Sequence, residues 1–135
     1  MRRLILRPRA LIGSTPFAVA ALVAAMLAAC RDEPAVSYTW DVYPILQQRC
    51  LPCHSPPDGH GFRMTGLDLE SYEGLLRGSY YTRTLIPGDS RHSLLNMVAE
   101  GRAYPGARMH TTKKPMPPEE ADILRRWVDQ GAHQD

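Results

Sequence analysis

The sequence predicts a mostly α fold, three to five helices joined by long loops. Three observations carry that expectation. Apolar residues recur at helical spacing in several segments, residues suited to helix starts and stops bracket those segments, and no run alternates strongly enough to read as a strand. The clearest helix lies near the C-terminal end: Pro118 suits the first helical position, Glu119 and Glu120 complement the positive end of the dipole, and Gly131 suits the position just past the last turn. Its Ile123, Leu124, Trp127 and Val128 share one face, with Arg125, Arg126 and Asp129 away from it. An earlier helix is expected from Asp41 to Arg49, with Asp41 as N-cap, Pro44 in the first turn, and Val42, Ile45 and Leu46 forming a buried face. Ser71 is expected to cap a short helix through Arg77 that Gly78 stops. Another should follow Pro87-Gly88-Asp89, capped by Asp89 or Ser90, carrying Leu94, Leu95, Met97 and Val98 before Gly101. The Pro- and Gly-rich stretch from Ser55 to Leu69 reads as a loop, and no internal repeat is found.

At 135 residues the chain suits one domain, and its front end is expected to lie outside that domain. Arg2, Arg3, Arg7 and Arg9 form a basic head with no acidic residue, followed by an apolar run from Phe17 to Ala29. A spanning helix needs roughly twenty apolar residues, so this shorter run reads as a cleaved export signal. Its end, Leu27-Ala28-Ala29-Cys30, resembles the lipobox of bacterial lipoproteins. The resemblance implies cleavage before Cys30, lipid on its thiol, and a domain anchored on the periplasmic side of a bacterial membrane, inner or outer. The alternative is an ordinary signal peptide with Cys30 a stray thiol. On the lipoprotein reading, residues 30–37 are a lipidated tether and 38–135 the functional domain. Each buried methylene contributes about 0.8 kcal/mol, so two or three acyl chains would anchor a small domain durably.

Loss of residues 1–29 would remove four arginines, leaving 12 basic against 14 acidic residues, a net charge of −2. That balance disfavours a nucleic-acid partner. With Cys30 assigned to lipid, only Cys50 and Cys53 remain of three cysteines. One pair is no disulfide framework, and about a hundred residues make a modest core, so a bound prosthetic group is the better expectation for completing the interior.

Cys50-Leu51-Pro52-Cys53-His54 is a C-x-x-C-H sequence, the attachment signature of c-type haem. Two thiols separated by two residues reach the two vinyl groups on one porphyrin edge, and the next residue offers an imidazole to the iron. One covalent haem is therefore expected on Cys50 and Cys53, with His54 as proximal ligand, and the Ser55–Leu69 loop wrapping it. A redox-active C-x-x-C would be expected beside a βαβ pattern, which is missing, and a structural zinc site lacks a second cysteine pair.

A sixth ligand to iron is a methionine or a histidine in most such sites. Met116 is favoured: in Lys114-Pro115-Met116-Pro117-Pro118 the flanking prolines hold the backbone extended and present the thioether from a stiff loop. Met109 and His110 are the rivals, and a gap-filling core role for Met116 is the plain alternative. Met64 and His60 follow the motif too closely, Met97 falls on an apolar helix face, and His92 and His133 are expected to face solvent.

Together, Val42-Tyr43-Pro44-Ile45-Leu46 leading into the C-x-x-C-H, the Lys114–Pro118 segment, and Trp127-Val128-Asp129-Gln130-Gly131-Ala132 resemble the small monohaem cytochrome c domains, class I-like and nearest the planctomycete type. The similarity covers nearly all of residues 40–132. It implies a cytochrome c-like bundle whose first and last helices cross beside the haem, axial roles for His54 and Met116, and electron transfer to redox partner proteins rather than enzymatic turnover. Electrons would pass through the exposed porphyrin edge near Cys50 and Cys53, and Leu46, Ile123, Leu124 and Trp127 would shield the ring. Lys113, Lys114 or Arg108 could neutralise a haem carboxylate. The alternatives are a haem enzyme or gas or redox sensor with an open distal site, or a cytochrome subunit of a larger oxidoreductase.

Overall fold

Ser37 begins the first helical turn, because it and Asp41 satisfy each other's turn. The Ser37 hydroxyl accepts from the Trp40 N–H at 2.9 Å, and the Ser37 N–H donates to the Asp41 carboxylate at 2.8 Å. This reciprocal capping starts the helical path four residues before the expected N-cap. Asp41 is therefore not the N-cap but the carboxylate that reaches back to it. A single π-turn, Tyr38–Val42, follows and runs directly into helix α1, Tyr43–Arg49. The computed structural model describes residues 33–103 and 116–135.

Five more helices complete the described chain: α2 Leu51–His54, α3 His60–Thr65, α4 Tyr72–Arg77, α5 Leu94–Ala99 and α6 Pro118–Asp129. No strand occurs among the described residues, so the mostly α expectation holds. Among the described residues six α-helices exceed the expected three to five, because α2 forms within the cysteine motif and α3 inside the segment read as a loop. Residues 55–59 and 66–69 remain non-helical there. Within α3 the lone Gly61 is buried, and packing outweighs its low helix propensity. Ser71 caps α4 by accepting from the Gly74 N–H, and Gly78 ends the helix at φ +79°. Helix α5 is preceded by Ser93 rather than Asp89 or Ser90. Asp89 instead stabilises the preceding turn, accepting from the His92 N–H at 3.1 Å. Helix α6 begins at Pro118 and its chain exit passes through Gly131 at φ +103°, as the sequence pattern implied.

The core joins the first described helical turns to α6. Val42, Leu46, Leu75, Leu124, Trp127 and Val128 are fully buried. Tyr38 lies 5.3 Å from Tyr72 edge-on and 5.5 Å from Trp127, so the first turn rests on α6 through aromatic rings. Arg49 and Glu120 form a two-pronged pair at 2.8 Å that ties the end of α1 to the start of α6. Tyr72 donates to the Ala132 carbonyl at 2.8 Å, and Trp127 Nε1 donates to the His133 carbonyl at 2.9 Å.

Candidate haem-binding site

The cysteine motif occupies the junction of two helices. Cys50 ends α1, its N–H bonding the Leu46 carbonyl at 2.8 Å, and also begins α2, whose first turn tolerates Pro52. Its own carbonyl accepts from Cys53 N–H at 3.1 Å and His54 N–H at 2.9 Å. One helical turn therefore carries all three motif residues, with the thiols at i and i+3 on neighbouring positions. Both cysteines are free, Cys50 partly and Cys53 well exposed. Burial, with a smaller contribution from Cys53, pushes the Cys50 thiol up to about 11, against an opposing pull from Arg49. Disulfide oxidoreductases depend on a lowered thiol pKa, so the shift runs opposite to what a redox C-x-x-C requires.

His54 is buried, 4% exposed, and held at two points by the chain that follows. Its Nδ1 lies 3.2 Å from the Leu67 carbonyl, and its own carbonyl accepts from Leu69 N–H at 3.0 Å. Burial lowers the imidazole pKa, and the Leu67 bond opposes that only in part. A neutral ring with its proton on Nδ1, donated to Leu67, carries its lone pair on Nε2, the form a metal ligand requires.

Gly61 decides how α3 meets this ring. A Cβ there would stand 2.7 Å from His54 Cε1, 2.8 Å from Nε2 and 3.0 Å from the Cys53 carbonyl. Any side chain would crowd His54 Nε2. Two thiols one turn apart, a neutral imidazole oriented through its far nitrogen, and bare backbone beside the near one form a donor set that fits haem c.

Met116 is half-buried just ahead of α6 and packs against the same apolar cluster as Cys50, Leu51 and Ile123. With Ala99, Glu100, Ala121 and Arg125 it lines a cleft of about 460 Å³. Leu46, Leu124 and Trp127 are buried as expected, and Ile123 is partly so. Met64 is 60% exposed, and His60, His92 and His133 are exposed. Cys30, Arg108, Met109, His110, Lys113 and Lys114 lie outside the described residues.

Two contributors escaped sequence reading. The Leu67 carbonyl is a backbone atom that no residue type announces. Gly61 was visible only as part of a glycine-rich stretch, with nothing to single it out from Gly59 or Gly66. No protein-family model, curated protein or solved structure matches the chain.

Proposed function

We propose that the chain is a lipid-anchored monohaem c-type cytochrome, of the small planctomycete-like kind, that transfers electrons. The observation that carries this reading is the Cys50-Leu51-Pro52-Cys53-His54 turn, with its buried imidazole held through Nδ1 by the Leu67 carbonyl. When bound, the haem supplies a one-electron couple. Cys50 and Cys53 hold it through two thioether bonds, so the group cannot dissociate when the fold loosens. His54 offers Nε2, while Leu67 fixes the ring orientation and raises the ligand's basicity. Met116 offers a thioether, a ligand that favours ferrous iron and raises the potential relative to a second histidine. The apolar side chains of Leu46, Leu124 and Trp127 exclude water, which keeps reorganisation on electron transfer small. Cys30 would carry the lipid that holds the domain on the periplasmic side of the membrane.

The test is spectroscopic. Protein matured in a host that attaches haem c should be coloured, keep its pigment in acidified acetone, and lose covalent attachment when both cysteines are replaced by alanine. A colourless product, or pigment released by acid, overturns the reading. Reduced protein should change little on exposure to carbon monoxide if His54 and Met116 both hold the iron; prompt binding would favour an enzyme or sensor. Met116→Ala should abolish the sulfur-to-iron charge-transfer band, and its persistence would reassign the ligand to Met109. Cys30→Ala should move the protein from the detergent phase to the aqueous phase, and unchanged partitioning would remove the lipid anchor.

A further inference from the structure

Trp40 is 81% exposed, more than any other large apolar side chain among the described residues. It does not sit on a loose end. Its N–H donates to the Ser37 hydroxyl at 2.9 Å, and the next residue, Asp41, accepts from the Ser37 N–H at 2.8 Å. On the other side, the Thr39 N–H donates to the Asp135 carboxylate at 3.0 Å. The turn is thus fixed at both flanks, with one aromatic ring, Tyr38, buried in the core and the other held out in water. A single exposed apolar residue signifies little by itself; its place in the chain gives it meaning.

On the lipoprotein reading Cys30 carries the lipid, and only residues 31–36 separate it from Ser37. Fully extended, those seven residue steps span at most about 25 Å, so the first helical turn stays within that distance of the bilayer surface. An indole combines an apolar body with one N–H donor and partitions to the boundary between headgroups and acyl chains. Beyond Trp40, the exposed residues Pro44, Gln47 and Gln48 are uncharged. The charges close to the indole are acidic: Asp41 adjoins it, Asp135 is held by Thr39, and residues 32–48 contain no lysine, arginine or histidine. Carboxylates so placed favour headgroups that bear ammonium groups and oppose anionic ones.

We propose that Trp40 seats the domain on the bilayer that carries the Cys30 lipid, its indole entering a headgroup layer of zwitterionic phospholipid, with Asp41 and Asp135 supplying carboxylates to the ammonium groups. This rests on the lipid-anchor part of the reading above and is independent of the haem. Its consequence is that the domain holds one face to the membrane instead of swinging freely on its tether. Tyr80 and Tyr81, also well exposed, take no part in that contact.

The test uses the full matured protein, reconstituted into vesicles of phosphatidylcholine and phosphatidylethanolamine. Cys30→Ala, exported behind a signal that adds no lipid and mixed with the same vesicles, is the unanchored reference. Both are exposed to hydroxyl radicals and digested with trypsin, which cuts after Arg31 and Arg49 and so frees a peptide that contains Trp40 but no lipid. Oxidation of Trp40 should fall roughly tenfold in the anchored protein, the scale of half-burying an aromatic side chain, while Tyr80 and Tyr81 keep their reactivity. Equal oxidation of Trp40 in both, or tyrosines protected as strongly as Trp40, would overturn the proposal. Protection as strong on phosphatidylglycerol vesicles would overturn the choice of headgroup. Trp40→Ser supplies a second measurement: it should stay in the detergent phase, yet intact vesicles should release its domain to trypsin, by cleavage at Arg31, faster by a similar factor than the unaltered protein. Equal release rates would again overturn the proposal. An unaltered protein found in the aqueous phase would defeat the lipid anchor itself, whereas an anchored protein with a fully reactive Trp40 overturns this inference alone.

Discussion

At the scale of single residues, Gly61 and Tyr38 make opposite predictions about what a side chain contributes. A Cβ at Gly61 would meet the edge of His54 that bears Nε2. If His54 ligates haem iron as proposed, Gly61→Ala should keep the haem attached but weaken that ligation, seen as a shift toward a high-spin absorption spectrum and new carbon monoxide binding. Gly88→Ala is the control: at φ +82° with nothing within 4 Å of an added Cβ, it should cost stability through backbone strain without altering the spectrum. Equal spectra for the two variants would remove any role for Gly61 in positioning the ligand. Tyr38 presents the reverse case. Its ring is buried among aromatic neighbours while its hydroxyl has no partner, and burial pushes its pKa up to about 12. Tyr38→Phe should thus be neutral or stabilising by up to about 1 kcal/mol in equilibrium unfolding, because it deletes an unsatisfied polar atom and keeps the ring. A loss of stability would mean that the hydroxyl has a partner.

Among the elements, α6 bears most of the burden. Glu119 and Glu120 lie in its first turn, and Leu124, Trp127 and Val128 lock one face into the core. Leu124→Ala should cost about 3 to 5 kcal/mol, lost transfer energy plus the cavity left behind, measured as a fall in denaturant midpoint. Surface changes on the opposite face should cost far less. Arg125 and Arg126 pair with Asp122 along the helix, but these groups are solvated, and their pairing is screened by salt. Comparable losses from Leu124→Ala and Asp122→Ala would contradict this division.

At the scale of the described domain, the meeting of its first turn with Asp135 is the distinctive feature. The Asp135 carboxylate accepts from the Ser37 hydroxyl at 2.6 Å and the Thr39 N–H at 3.0 Å, 98 and 96 residues away in sequence. Those donors, Ser37 first, hold the carboxyl below its ordinary value of 3.8. A depressed folded-state pKa means that the unfolded chain binds the proton more readily. The stabilisation is therefore complete above the ordinary value and is lost as pH falls through the lower folded one. Asp135→Asn should flatten the acid limb of the stability profile below about pH 4 and leave the neutral region with a small, pH-independent change. An acid limb as steep as that of the unaltered protein would show that Asp135 and the first turn are not linked in this way.

Helical segments and the motif at residue 50 were legible without coordinates because both depend on neighbours in the chain. The period of Leu124, Trp127 and Val128, the proline at the start of α6 and the glycine past its end are local features with local causes. The three motif residues share one turn because they are nearly consecutive. What the folded chain alone decided involves contacts between distant segments or atoms without residue identity. The carbonyl of Leu67 orients an imidazole thirteen residues earlier, a helix forms where glycines and prolines implied a loop, and Asp41 answers Ser37 instead of capping alone. Asn96, fully buried in α5 with no partner for its amide, belongs with these, since a lone asparagine between leucine and methionine announces nothing until burial removes water from it. Local pattern follows from the chain's stereochemistry, whereas burial and hydrogen-bond satisfaction become defined only when separate segments close around one another.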